Sequence, residues 1–253
     1  MPVLTIAVIL VIAVFVGALV QRVTGLGVGM VTGPILTVLL GPLSGVVMVN
    51  ALSMVNAANN AWAVRRETHW KRFGILAGSL LLGSLPALWV VHSLNGPWLL
   101  VAVGGLVLAA ILFATFNPAG PIFRPDQLLP MVLAGVFAGF MSTVAGIAGP
   151  GLTAYARLTG WDYRQFVATL HPILLVANTL SFLLKAVVLG GFDVGVVPLW
   201  LWIIALVMLF AGAWGGDRLN HRISSTGARR LATILAVVGS SIVLVQGVLG
   251  LAR

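Results

Sequence analysis

The sequence predicts an all-α, polytopic membrane protein built as two inverted repeats of about five helical segments each, and three observations predict it. First, 60% of the 253 residues are hydrophobic and only 8% are charged, whereas soluble domains carry about 25% charge; this inventory cannot cover a water-facing surface. Second, the apolar residues fall into runs, most of a length that crosses hydrocarbon as a helix, the open-chain form that satisfies every backbone group there. Third, the pattern of runs, with its glycines and asparagines, occurs twice along the chain.

The runs lie at 3–21, 28–40, 43–64, 73–93, 97–116, 128–146, 149–159, 165–189, 195–215 and 228–249. No basic region precedes the first, so it reads as a retained helix rather than a cleaved signal. Two runs, 28–40 and 149–159, are too short to cross comfortably. Each directly follows a glycine cluster, "RVTGLGVGMVTGP" (22–34) and "STVAGIAGPG" (142–151), so short re-entrant or broken helices are expected there.

A shift of 122 residues lays Gly17 on Gly139, Gly27 on Gly149, Gly29 on Gly151 and Asn56 on Asn178. Residues 1–116 then form a first transmembrane repeat, 117–127 a cytoplasmic connection and 128–253 a second repeat. Charge gives the orientation. The basic loop "RRETHWKR" (65–72) follows the third run of the first half, while "DRLNHRISSTGARR" (217–230) follows the fourth run of the second. Lys and Arg collect in cytoplasmic loops, so the two halves point in opposite directions. Loops 117–127 and 160–164 fall on the same side as 65–72, and both termini on the other. The same placement explains the net charge of +9 without a nucleic-acid partner. Trp62, Trp70, Trp98, Trp161, Trp200 and Trp214 lie near segment ends, where indoles favour the interface. Cysteine is absent, which excludes disulfides and thiolate metal sites; no metal or cofactor is expected.

Inverted repeats with short, Gly/Pro-interrupted segments at matching positions are the pattern of secondary transporters. The glycine clusters are not dinucleotide loops: G-x-G-x-x-G would need glycine at Thr32, and no strand–helix unit surrounds it. A broken helix instead frees N–H groups and a positive dipole end for an anion. Gln21, Thr24, Ser142 and Thr143 stand beside the clusters as neutral donors. Close helix packing through small residues is the alternative role for the glycines. Two polar stripes accompany them. Asn50, Ser53, Asn56 and Asn60 fall within about 120° of one another on a helix, and His171, Asn178, Ser181 and Lys185 within about 80°. Polar groups in hydrocarbon face the bundle interior or a wet cavity, which reads as a lined pathway, with interhelical gluing as the alternative. Arg22 is a candidate anion ligand or a boundary anchor. His171, just before Pro172, is the candidate titrating group, with a hydrogen-bonded structural role as the alternative. Lys185, a turn from the end of its run, reads as snorkelling outward, with a substrate contact as the alternative.

No Asp or Glu lies in the middle of a run; Asp162, Asp193 and Asp217 sit at loops. Carboxylates ordinarily bind coupling cations and protons in transporters, so the pattern favours an anionic substrate. Export of an anion from a negative-inside cell gains about 2.3 kcal/mol per charge per 100 mV. An intramembrane hydrolase would need Ser142 and His171 to meet, with no acidic third member evident, and a passive anion channel is the other alternative.

The elements "GALVQRVTGLGVGMVTGPIL", "AGFMSTVAGIAGPGLTAYARL", "GSLPALW" and "GAWGGDRL" resemble, in order and over nearly the whole chain, the sulfite exporter TauE/SafE family. The resemblance implies a duplicated bacterial or archaeal inner-membrane permease exporting sulfite or organosulfonates. It implicates Gly25, Gly27 and Gly29 in the first motif and Gly146, Gly149 and Gly151 in the second. Where the family often has three consecutive glycines this chain reads "GIAGPG", and Pro150 removes one backbone donor. The expected substrate-binding set is therefore Gln21, Arg22, Thr24, Gly25, Gly27, Gly29, Asn56, Ser142, Thr143, Gly146, Gly149, Gly151, His171 and Asn178. The expected partners are a small anion and the lipid bilayer; a homo-oligomer stays open.

Overall fold

A computed structural model of the chain describes residues 3–24, 28–94, 96–115, 121–124, 126–193, 195, 197–219 and 225–252. Its regular elements are all helical: α1 (Val3–Thr24), α2 (Gly33–Leu40), α3 (Pro42–Val64), α4 (Trp70–Ser93), α5 (Gly96–Thr115), α6 (Leu128–Ala145), α7 (Gly149–Leu158), α8 (Tyr163–Leu183), α9 (Leu199–Leu219) and α10 (Ser225–Leu251). Single π-helical turns, Val28–Thr32 and Leu184–Val188, lead into α2 and out of α8. Among the described residues, six helices are long and apolar enough to cross a membrane. α3 also has 23 residues, but a row of asparagines interrupts its apolar stretch. The two short runs become the two short helices, α2 with 8 residues and α7 with 10. In both, proline occupies the first turn, where its missing N–H costs nothing.

Helix neighbours are exchanged between the halves. α1 packs chiefly on α9, and α4 on α6; α3 lies against α8, and α5 against α10. Substituting each helix by its counterpart five positions along maps this set of pairs onto itself. The buried apolar clusters repeat the scheme. One joins Leu10 and Val14 of α1 to Leu201 and Leu209 of α9, and another joins Leu76 and Leu80 of α4 to Met131 and Ala138 of α6. Lipid tails are as apolar as Leu, so such pairs are held by close packing of small residues rather than by a hydrophobic gain. Accordingly, a Cβ at Gly83 of α4 would overlap the Val136 carbonyl of α6, and one at Gly212 of α9 the Phe15 carbonyl of α1. Large apolar side chains such as Leu4, Leu112, Leu129 and Val187 stay exposed around the outside, as a bilayer requires.

The segments read as one side's loops pack together at one end of the bundle. Arg164 makes two hydrogen bonds to Glu67 at 3.0 and 3.3 Å, Arg72 pairs with Asp126 at 2.8 Å, and Ile122 and Phe123 both donate to the Leu158 carbonyl. Trp62, Trp70, Trp98, Trp200 and Trp214 are exposed, as interface anchors should be. Trp161 is not: it is buried against Tyr155 and Phe166, beneath the Arg72 guanidinium at 4.6 Å, with its indole N–H on Gln165. Arg72 supplies the face contact that draws this ring inward.

Arg164 beside Glu67 holds that carboxyl below the usual carboxylate range. A depressed folded value means the pair's contribution is present above the carboxyl's ordinary range and is lost as pH falls through the lowered value. Glu67→Gln is therefore expected to melt slightly below wild type at neutral pH, with the two melting curves converging in acid. A gap independent of pH would assign the difference to something other than the charge.

Candidate substrate site

The two glycine-rich breaks meet each other. α6 ends at Gly146, whose φ of +74° is left-handed and whose N–H returns to the Ser142 carbonyl; a side chain there would strain the turn. Across from it lies Gly29, in the π turn before α2. A Cβ on Gly29 would sit 2.9 Å from the Gly146 carbonyl oxygen and 3.0 Å from the Ile147 side chain, so the approach of the two backbones requires glycine. The entry into the first break is held by Gln21 of α1, whose Oε1 accepts from the Val28 N–H at 2.8 Å.

A cleft of about 40 Å³ opens at this junction, with room for about three water-sized groups, the scale of a small oxyanion. It is lined by Gln21, Gly29, Ser53, Gly146, Gly149 and Asn178 among others, and none of the lining residues is acidic. The start of α7 forms one wall. Its N-cap, Ala148, offers no side-chain cap, so first-turn N–H groups and the positive end of the helix are left for a ligand. Ser53 is buried and its hydroxyl has no hydrogen-bond partner.

Beside the cleft the polar stripes of α3 and α8 face one another. Asn50 donates to Asn178 Oδ1 at 3.0 Å, and Asn178 donates to the Leu174 carbonyl at 2.7 Å. A hydroxyl chain joins Thr143, Ser181 and Ser142 at 3.0 and 2.9 Å and ends on the Ala177 carbonyl at 3.2 Å. Ser142 and Thr143 thus stand at the end of α6 just before the break, inside a satisfied network rather than on the cleft wall. Because Ser142 bonds Ser181 and Ala177, with His171 not among its partners, the hydrolase pairing does not form.

The other expected residues fall as follows. Gln21, Gly29, Gly146, Gly149 and Asn178 line the cleft. Gly151 is turned to the Phe137 ring of α6 and serves packing. Asn56 and His171 are buried with Asn56 Nδ2 and His171 Nδ1 unpartnered, outside the cleft lining. Arg22 pairs with Asp217 of α9 and donates to Asn60 Oδ1 at 2.7 Å; its charge is already matched, and Asp217 lies in the last turn of α9 rather than in a loop. Gly25 and Gly27, and the Thr24 side chain, lie outside the described residues. Lys185 corrects its reading outright. It does not snorkel: it is 1% exposed and its Nζ donates inward to Asn50 Oδ1 and the Thr143 carbonyl, at 2.8 Å each. Two acceptors in the interior hold it where hydrocarbon outside offers none. Ser53 and Asn50 are missing from the expected set, although the same stripe period that singled out Asn56 includes them.

Membrane-length helices around a cleft, with two broken segments meeting at it, define a multi-pass membrane transporter. The chain belongs to the sulfite exporter TauE/SafE family, whose model matches residues 9–242. It is 22% identical over 173 residues to the "probable inner membrane transporter protein TsaS" of Comamonas testosteroni, covering 68% of this chain and 71% of that protein. It is 26% identical over 251 residues to a probable membrane transporter protein of Methanocaldococcus jannaschii, covering 91% and 93%. No solved structure matches the chain. Family and span content make it a multi-pass membrane protein.

Proposed function

We propose that this transporter exports a small anion, sulfite or an organosulfonate, by alternating access between two inverted halves. The observation that carries the reading is the uncapped start of α7 opening, with Ser53 and Asn178, onto a cleft that has no acidic lining. A cleft that offers N–H and O–H donors and no carboxylate favours acceptor-rich anions over cations. The exchanged helix pairs support the two-halved mechanism, because the breaks meet beside the packed pair α3 and α8. The substrate and the bilayer are its expected partners. Proteoliposomes loaded with labelled sulfite or a C2 sulfonate should release the anion faster when the potential pulls negative charge outward. Absence of flux at either sign of the potential overturns the proposal, and single-channel currents would replace it with a passive pore.

A further inference from the structure

One guanidinium ties three helices together a step beyond the cleft, on the side of the 65–72 loop. Gln21 of α1 and Ala57 of α3 line the cleft. The next residue of α1 is Arg22, and three residues further along α3 stands Asn60. Arg22 Nη1 donates to Asn60 Oδ1 at 2.7 Å, while its Nε pairs with the Asp217 carboxylate of α9. The pair is not sealed in: the two side chains stay 34% and 52% exposed.

Asp217 is a weakly held partner. It sits in the last turn of α9, the negative end of the helix, where a carboxylate is disfavoured. A carboxylate is itself a small oxyanion, and a guanidinium binds carboxylates and other oxyanions through the same fork of donors. Asp217 therefore occupies Arg22 as a free oxyanion would. From Asn60 back to the cleft, α3 carries Asn56 and then Ser53, about 6 and 10 Å along its axis. Asn56 Nδ2 and Ser53 Oγ are buried without a hydrogen-bond partner among the described residues, and Ser53 lines the cleft. Polar atoms that the protein leaves unsatisfied thus lie along α3 between the guanidinium and the cleft.

We propose that Arg22 is a second anion-binding station, one step from the cleft, and that the Asp217 carboxylate holds it as an internal competitor until a substrate oxyanion displaces it. The proposal rests on the anion transport proposed above and deepens it by naming a charged residue that meets the anion outside the cleft. Displacement exchanges one oxyanion for another on Arg22, so the guanidinium is never left without a counter-charge.

The concentration of sulfite or isethionate that half-saturates flux in proteoliposomes tests it. D217N keeps an oxygen for Arg22 but removes the competing charge; it should lower the half-saturating concentration about two- to fivefold, the worth of an exposed ion pair. R22Q should raise it about 10- to 100-fold, the worth of a charge-assisted hydrogen bond, and R22Q/D217N should behave as R22Q. A pair that only holds α1 to α9 would be broken alike by either variant, so shifts of the same sign, or no shift in D217N, overturn the proposal. E67Q removes the same charge at the same end of the bundle and should leave the value unchanged; a shift equal to that of D217N would assign the effect to the general field and overturn the proposal. Should R22Q not fold, as its melting curve will show, D217N against E67Q decides by the same criteria. Absence of flux in the wild type removes the transport proposal and this station with it, whereas wild-type flux with an unshifted D217N removes the station alone.

Discussion

Gly29→Ala and Gly146→Ala are each expected to cut anion flux by more than about tenfold, because a misplacement of about 1 Å at a binding site can cost two orders of magnitude. The two residues meet in one backbone contact beside the cleft, and each variant damages the junction differently. At Gly29 the new methyl lands 2.9 Å from the Gly146 carbonyl oxygen, which is backbone and cannot rotate aside. At Gly146 the left-handed φ of +74° costs an L-residue about 1–2 kcal/mol, with the Val49 side chain 3.1 Å away. Because both act on one contact, the double variant should lose less than the product of the single losses. Proteoliposome flux, alongside a melting curve confirming the fold, measures this. Wild-type flux in either single variant would remove the junction from the transport path.

Gly83→Leu and Gly212→Leu are expected to lose the folded monomer, and to lose it alike. Each glycine lets a neighbouring backbone carbonyl, Val136 or Phe15, into direct contact, and overpacking against fixed backbone costs about 1–3 kcal/mol or more. Gly78 lies on α4 as well, but a Cβ there meets nothing within 4 Å; Gly78→Leu faces outward and should be tolerated. Size-exclusion profiles after detergent extraction distinguish the three. Equal behaviour of Gly78→Leu and Gly83→Leu would dissolve the assignment of Gly83 to the α4–α6 contact.

Periodicity and glycine spacing made the ten-helix plan readable, because run length and polar stripes are local properties. The two short segments were visible for the same reason, and so was the pairing of an asparagine stripe with a His–Asn–Ser–Lys stripe. Long-range partners were not. Arg22 and Asp217 stand 195 positions apart, and nothing near either residue names the other; the arginine therefore read as an anion ligand or a boundary anchor. Lys185 misled because its run appears to end within a turn of it. The chain instead makes a π turn there, which turns the side chain inward to Asn50 and Thr143. Trp161 misled in the same way: a loop position suggested an interface anchor, but Arg72, distant in sequence, captures the ring.

The exchange of helix neighbours bears on how the protein must be made. α1 leaves the ribosome before α2 to α8, yet its chief neighbour, α9, emerges only after all of them. Until then the end of α1 waits in the lipid with its arginine lacking Asp217. α4 likewise waits for α6, across the connection between the halves. Neither half holds its own complement of neighbours, so the nascent first half is an unfinished surface rather than a finished module. Its lifetime in the membrane is set by the speed of translation, and a pause before residue 199 would prolong the interval in which other chains could take the place of α9.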